Sequence, residues 1–336
     1  MRDIPPTIRA VARRAGVSLA TVSNVMGKRR GVAAQLVAQV EAAVAELGYV
    51  PNVAASQLRS RRKTVVGLLV PDLANPFFAT LVAGIERQAR RAGFDIIIAS
   101  SAEDSTQEAA CMRTLVAWRP AGILAVPCLD AFAAGAMATD RDIPLVLMDR
   151  RPRAATFDSV DVDNRAAAEL AAKHLIDCGY RSMLVVASIF AANNMRDRIE
   201  GVRIAARAAA QAVDIEILEA GNDVAAIGAT LFERLAGGAR PDCLFSLTNL
   251  ITLGALGALG RCGLHVPDDI GLLGFDDYDW LRVVSPPITA VRQPVEEMGT
   301  AAWSRLTARL ADPTIELGHI ELRCALEIRS STRRRA

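Results

Sequence analysis

The chain has 336 residues, 51% of them apolar and 23% charged, with a net charge of +2, which exceeds one small domain and points to two or three units with substantial cores. No apolar run is long enough for a membrane-spanning helix, and the start, Met1-Arg-Asp-Ile-Pro-Pro, lacks the apolar stretch of a secretory signal, so a cytoplasmic chain with no membrane contact is expected. The six cysteines include no C-x-x-C pair and the three histidines (His174, His265, His319) are far apart in sequence, which argues for reduced, mostly buried cysteines and against any metal site.

Charge is spread unevenly. Through Lys63 there are eleven Lys/Arg against three acids, a surplus of eight, while the remainder holds 28 against 34. A basic head on an acidic body is expected when one end meets a polyanion, although a merely solvated basic face would look the same.

Thr7 is placed to cap a first helix whose apolar positions Ile8, Val11, Ala12 and Ala15 follow a helical stripe, and Gly16 supplies its stop. Thr7-x-x-Ala10 lacks the acid that would complete a capping box. Val17 plugs the gap and Ser18 caps the next helix, Leu19 to about Met26, with Val22, Val25 and Met26 inward. Leu19, Ala20, Ser23 and Asn24 are left outside. Two short helices joined by a Gly-containing turn form the unit that lays its second helix in the major groove of DNA. A third helix, near Ala33–Leu47, offers Leu36, Val40, Ala43, Val44 and Leu47 as the lid of a small core. Pro51 to Arg59 then reads as a helix of about two turns, too short to stand alone, ahead of the basic run Ser60-Arg-Arg-Lys63.

From Thr64 onward, strand-like apolar runs (Val65–Val70, Phe94–Ala99, Gly122–Val126, Pro144–Met148, Ser182–Ala187, Ile215–Glu219, Asp242–Ser246, Asp269–Gly274) alternate with helical stretches such as Phe77–Ala92 and Thr106–Trp118. Such alternation predicts an α/β fold of parallel sheets covered on both faces, in two similar lobes. Ligands of such sheets bind beyond the carboxyl ends of the strands, which nominates Asp72, Asn75, Phe77, Phe78, Pro127, Asp149, Asn194, Arg198, Thr248, Asn249 and Asp276. No G-x-S-x-G elbow, phosphate-binding Gly-rich loop or H-E-x-x-H motif is present, so no catalytic residue and no cofactor is nominated. Gly254, Gly257, Gly260 and Gly263 recur every third residue, which reads as close helix packing.

Thr-Ile-Arg-Ala-Val-Ala-Arg-Arg-Ala-Gly-Val-Ser-Leu-Ala-Thr-Val-Ser (7–23) and Glu-Leu-Gly-Tyr-Val-Pro-Asn (46–52) resemble the lactose-repressor (LacI/GalR) family. The likeness continues through Gly-Leu-Leu-Val-Pro-Asp-Leu-Ala-Asn-Pro-Phe-Phe (67–78), Asp-Val-Asp-Asn (161–164), Gly-Phe-Asp-Asp (274–277) and Val-Arg-Gln-Pro-Val-Glu-Glu-Met-Gly (291–299), nearly the whole chain. The resemblance implies an all-α helix-turn-helix head at 1–50, a hinge at 51–63, and a periplasmic-binding-protein-like body at 64–336. That body would be two doubly wound parallel-sheet lobes, one about 64–161 plus 292–322 and the other about 162–291 plus 323–330. It places Leu19, Ala20 and Asn24 at base-reading positions and Thr21 and Ser23 on the DNA backbone, with Thr7, Ser18 and, in the hinge, Asn52 also in the DNA-contacting set. Asn24 departs from the arginine common there, and an amide suits adenine where arginine suits guanine; contact with phosphate alone is the other reading. In the hinge it places Ala55 and Leu58 in the minor groove, Leu58 as an unstacking wedge, with Arg59 beside them.

In the body, the resemblance makes Phe77 and Phe78 an apolar wall, Arg198 the effector-gripping arginine and Asp276 an acid on the opposite lobe. Asp72, Pro127, Asn194, Thr248 and Asn249 complete the expected effector site, and Asn249 stands where many relatives carry aspartate. Structural ion pairing is the alternative role for Arg198 and Asp276. The expected partners are a palindromic double-stranded DNA operator, a small-molecule effector such as a sugar, sugar acid, nucleoside or purine, and a second copy of the chain. The tail after Arg329 has no leucine heptads, which points to a homodimer rather than a tetramer. The implied function is a DNA-binding transcriptional repressor controlled by effector; a solute-binding protein for transport or chemoreception shares the body but has no use for the basic head.

Overall fold

The computed structural model describes residues 6–26, 31–49, 64–152 and 156–333, and the chain divides into two units, Met1–Lys63 and Thr64–Ala336. The hinge positions Asn52, Ala55, Leu58 and Arg59 lie outside the described residues.

In the head, α1 (Ile8–Ala15), α2 (Leu19–Met26) and α3 (Ala34–Leu47) surround one small core. Thr7 Oγ1 accepts from the Ala10 amide at 3.3 Å and opens α1. Gly16 closes it at φ 67°, the left-handed region where a glycine costs nothing. Ser18 Oγ accepts from the Thr21 amide at 3.1 Å at the start of α2. Val11, Ala12, Val22, Val25, Val40 and Ala43 are buried together, and Arg14 Nε donates to Glu46 Oε1 at 2.9 Å, tying α1 to α3. The lid differs from the expected one in its first turn. Val37, not Leu36, packs on this core, because Val37, Val40 and Val44 follow the inner i, i+3, i+7 row while Leu36 falls to its flank.

In the body, the first lobe holds β1 (Val65–Val70), α4 (Pro76–Arg91), β2 (Asp95–Ser100), α5 (Ser105–Ala117), β3 (Gly122–Ala125), the short α6 (Ala136–Thr139), β4 (Leu145–Met148) and β5 (Asp158–Val162). The second holds α7 (Asn164–Asp177), β6 (Ser182–Ala187), α8 (Asn193–Ala208), β7 (Asp214–Glu219), α9 (Val224–Gly237), β8 (Cys243–Ser246), α10 (Asn249–Arg261), β9 (Gly271–Phe275), α11 (Asp279–Val283) and β10 (Thr289–Arg292). The chain then returns through α12 (Val295–Ala311) and β11 (His319–Leu322) to the first lobe and ends on β12 (Ala325–Glu327) in the second. The sheets run β11-β5-β4-β3-β1-β2 and β12-β10-β9-β8-β6-β7.

Both sheets are buried on both faces by helices, which is why their inner strands read as unbroken apolar runs. Every pair is parallel except β12, which lies antiparallel on β10, so the second lobe is not purely parallel. The edge strands β11 and β12 and the inner strands β5 and β10 were not expected from the apolar pattern. β5 carries two acids in five residues and yet is wholly buried. Its first residue, Asp158, accepts from Arg305 Nε at 2.6 Å and from the Gly318 amide at 2.8 Å, and is also paired with Arg309.

Three crossings join the lobes: β5 to α7, β10 to α12, and β11 to β12. Met298, Ala302, Trp303 and Leu306 anchor α12 in the first lobe, and Cys324, in the last crossing, packs against the cores of both. Among the cysteines only Cys128 and Cys243 are buried, fewer than expected: Cys178 and Cys262 sit at helix C-caps, Cys324 in a crossing and Cys111 within α5. Of the periodic glycines, Gly254 packs α10 tightly, since a Cβ there would lie 2.6 Å from Ile227 of α9. Gly257 and Gly260 meet open space, and Gly263 turns the chain at φ 66°.

Candidate functional site

The carboxyl ends of both sheets face one narrow cleft lined by residues of both lobes. The two lobes contribute in parallel ways. β4 and β9 hold the same place in their sheet orders, and each is followed at once by a buried aspartate with a left-handed backbone: Asp149 at φ 58° and Asp276 at φ 73°. Asp tolerates this conformation better than most residues, and the pair gives the cleft two equivalent acids, one per lobe.

Arg198, on α8, lies between them in charge and is only 2% exposed. Its Nε donates to Asn164 Oδ1 at 2.7 Å and Nη1 to the Leu247 carbonyl at 2.6 Å, while the guanidinium carbon sits 3.6 Å from the Phe275 ring centroid. Three contacts of different kinds thus hold the group before any ligand arrives. Burial pulls its pKa below the ordinary arginine value, against the opposing pull of Asp276 and Asp149. Burial likewise raises both aspartates, and Arg198 opposes it in each case. Asp276 is further held by Gln293 Nε2 at 2.6 Å and by the Asn249 amide at 3.3 Å.

A second arginine, Arg150, follows Asp149 and forms a two-pronged pair with Glu103, at 2.7 and 2.8 Å. It also donates to the Cys128 carbonyl at 3.0 Å and the Pro127 carbonyl at 3.3 Å. Burial works against its charge, but Glu103 and Asp149 outweigh that and hold its pKa up. Phe77 and Phe78 complete the wall from the first turn of α4, edge to face at 5.1 Å.

Among the eleven positions nominated for a ligand, Asn75, Phe77, Phe78, Asp149, Asn194, Arg198, Thr248 and Asp276 line this cleft. Thr248 also caps α10 by accepting from the Ile251 amide. Asp72, Pro127 and Asn249 do not line it. Asp72 folds back on the Ala74 amide at 2.8 Å, Pro127 lends its carbonyl to Arg150, and Asn249 commits its backbone amide to Asp276 and its Nδ2 to Asn75 of the opposite lobe. Glu103, Cys128, Arg150, Ser188 and Asn222 line the cleft without having been nominated. Arg150 carried a usable signal, since it follows a strand end directly; Glu103 carried none.

On the head, Leu19, Ala20 and Ser23 are exposed and Thr21 and Asn24 half-buried on α2. The Thr21 and Ser18 hydroxyls are 2.9 Å apart and hydrogen bonded to each other.

Residues 7–52 match the family of bacterial regulatory proteins, lacI family, and residues 172–332 match the periplasmic binding protein-like domain. The chain is 33% identical to the HTH-type transcriptional regulator PtxS of Pseudomonas putida, over 97% of this chain and 96% of that one. It is 30% identical to the ribose operon repressor of Escherichia coli, over 97% and 99%. Its structure resembles that of the lac repressor dimer bound to operator and the anti-inducer ONPF, with a TM-score of 0.84 at 26% identity over 98% of this chain and all of that one. A capped helix-turn-helix, two lobes closing on one polar cleft and these matches along the whole chain agree: the chain belongs to the lacI family of bacterial transcriptional regulators.

Proposed function

We propose that the chain is a cytoplasmic, homodimeric repressor that binds a palindromic operator through α2 and the hinge, and whose operator affinity is set by a neutral polyhydroxyl effector, a sugar, held between the lobes. It acts by binding and not by catalysis. DNA binding draws support from the exposed face of α2 and the basic surplus of the head. Two heads on a two-fold axis read two half-sites of matched symmetry.

The observation that carries the effector class is the charge balance of the cleft. Glu103 pairs with Arg150 through two prongs, and Asp149 is shared between Arg150 and Arg198, so with Asp276 the cleft sets three carboxylates against two guanidinium groups. An anionic ligand would meet arginines whose charge is already matched by acids. Vicinal hydroxyls can instead donate to each carboxylate and accept from the guanidinium, with Phe77 and Phe78 against an apolar ring face. The ribose operon repressor among the relatives is named for a sugar of this kind.

Fluorescence anisotropy with the chain's own upstream DNA tests the reading: affinity should fall steeply with salt as phosphate contacts release counterions, and salt-insensitive or absent binding defeats it. A thermal-shift panel of neutral aldoses and the matching aldonates should return hits among the neutral sugars only. Hits confined to the acids would overturn the effector class while leaving the regulator reading intact. Leu58→Ala should weaken operator binding and leave effector affinity of the full chain unchanged.

A further inference from the structure

β5 and β11 run parallel in the first lobe, with Ser159 opposite His319 and Asp161 opposite Glu321. Residues two apart on a strand share a face, so these four side chains form one cluster. His319 Nε2 lies 3.4 Å from Asp161 Oδ1 and 3.9 Å from Glu321 Oε1, and the donor atoms of the three residues all lie within 4.8 Å of one another. We propose that Asp161, His319 and Glu321 bind a divalent transition-metal ion of the zinc type, one imidazole nitrogen and two carboxylate oxygens forming the protein's share of its coordination.

The distances fit such an ion. Two donors each about 2.1 Å from a tetrahedral metal stand about 3.4 Å apart, the observed separation of His319 Nε2 and Asp161 Oδ1. Glu321, on a half-exposed side chain, needs only a small swing to close the third edge. The independent sign is Asp161 itself. It is 93% buried, since only 7% of its surface is exposed; its Oδ2 accepts from Arg151 Nε at 2.7 Å, while its Oδ1 is buried with no hydrogen-bond donor. That oxygen is the one turned toward His319 Nε2. Ser159 Oγ stands 3.0 Å from His319 Nδ1; with an ion on Nε2 the ring proton sits on Nδ1, where this hydroxyl is placed to accept it, as the outer partner of a metal-bound histidine does. Imidazole with carboxylates suits zinc, manganese, iron or cobalt better than calcium or magnesium. Asp161 and His319 are about 160 positions apart in the chain, which is why no ligand spacing is visible in the sequence.

The place gives the ion a mechanical role. β5 and β11 each lead straight into a crossing between lobes, so a bound ion joins two of the three connecting strands at their bases. Asp161 and Glu321 also border an opening whose far side is Arg165 and Asp197 of the second lobe.

Metal binding is read directly, apart from any operator or sugar. Full-length protein freed of metal by chelator is titrated with Zn2+ calorimetrically and with Co2+ by visible absorption. One site per chain is expected, with cobalt d–d bands and no sulfur-to-metal charge transfer. His319→Ala should weaken binding at least 100-fold, Glu321→Gln about tenfold and Ser159→Ala about tenfold, with unchanged circular-dichroism melting of the metal-free protein for His319→Ala. No binding up to millimolar Zn2+, a thiolate spectrum, or binding indifferent to His319→Ala and Glu321→Gln would each overturn the site.

Discussion

Asn249 Nδ2, in the second lobe, donates to Asn75 Oδ1, in the first, at 3.0 Å, and the same oxygen accepts from the Phe77 amide at 3.1 Å. Asn75 is the N-cap of α4, so one atom both holds the lobes together and starts the helix turn that carries Phe77 and Phe78. A second clasp closes the other rim: Asp130 of the first lobe accepts from the Asn193 amide at 2.9 Å and pairs with Arg196 of the second. Asn249→Asp would set a carboxylate against Asn75 Oδ1 and near Asp276, and should open the lobes. Losing one hydrogen bond and gaining a repulsion is worth about 1.5 kcal/mol, or roughly tenfold in effector affinity. Calorimetric titration with the effector, together with small-angle scattering of the unliganded protein, checks both halves. Unchanged affinity with an unchanged scattering profile would remove the clasp from the account.

Asp149 and Asp276 make the ligand-free cleft a source of instability. Burial raises the pKa of each in the folded chain, so their contribution to stability is full below the unfolded carboxylate value of about 3.9 and is lost as pH rises through the raised folded values. At neutral pH both charges therefore oppose folding. Asp149→Asn should raise the melting temperature of the ligand-free protein by about 2–4 °C, the shift for roughly 1 kcal/mol in a chain of this size, and abolish the stabilisation by sugar. A variant that melts lower than the parent, or that still responds to sugar, contradicts the charge assignment. Stability gained at the expense of binding is the usual trade at a ligand site.

The parts of the fold visible in sequence are those governed by local pattern. Val65–Val70 and Ser182–Ala187 read as strands because both faces of each are buried in helices, and Thr7, Gly16 and Ser18 punctuate the head through contacts within a few residues. What escaped is set by distant partners. β5 is a strand because Arg305 and Arg309, 147 and 151 positions on, neutralise Asp158. Arg150 is a cleft residue because Glu103, 47 positions earlier, completes it. Asn249 illustrates the converse: its position after a strand end is that of a ligand contact, but tertiary neighbours claim its amide first.

Asp158 should be the stability-determining acid of the first lobe. It is wholly buried; burial opposes its charge, yet Arg309, the Gly318 amide and Arg305 together hold its pKa below the ordinary carboxylate range. The stability it contributes is present above the unfolded value of about 3.9 and is lost as pH falls through the lower folded value. Asp277, held down by Arg329 and Arg282 against its own burial, follows the same course. Asp158→Asn leaves two arginines facing a neutral amide and should cost about 3–5 kcal/mol, lowering the melting temperature by roughly 10 °C. Calorimetry at neutral pH measures this, and a loss under 1 kcal/mol would mean that solvent already screens the pair.

Asn24 sets the most specific expectation about DNA. It lies on α2 one residue past exposed Ser23 and one turn from exposed Leu19 and Ala20, the side of the helix that the proposed function presents to the groove. A side-chain amide pairs with adenine by donating to N7 and accepting from the N6 amino group, whereas guanine offers two acceptors, N7 and O6, that call for a guanidinium. Selection of binding sites from a randomised half-site should return adenine at one position for the parent chain. Asn24→Arg should shift that position to guanine, and Asn24→Ala should flatten it, each change amounting to about 1–3 kcal/mol of discrimination. A preference that persists in Asn24→Ala would assign the readout to another residue and leave Asn24 on the phosphates, where its loss weakens every sequence alike and lowers the salt dependence little, since the amide carries no charge.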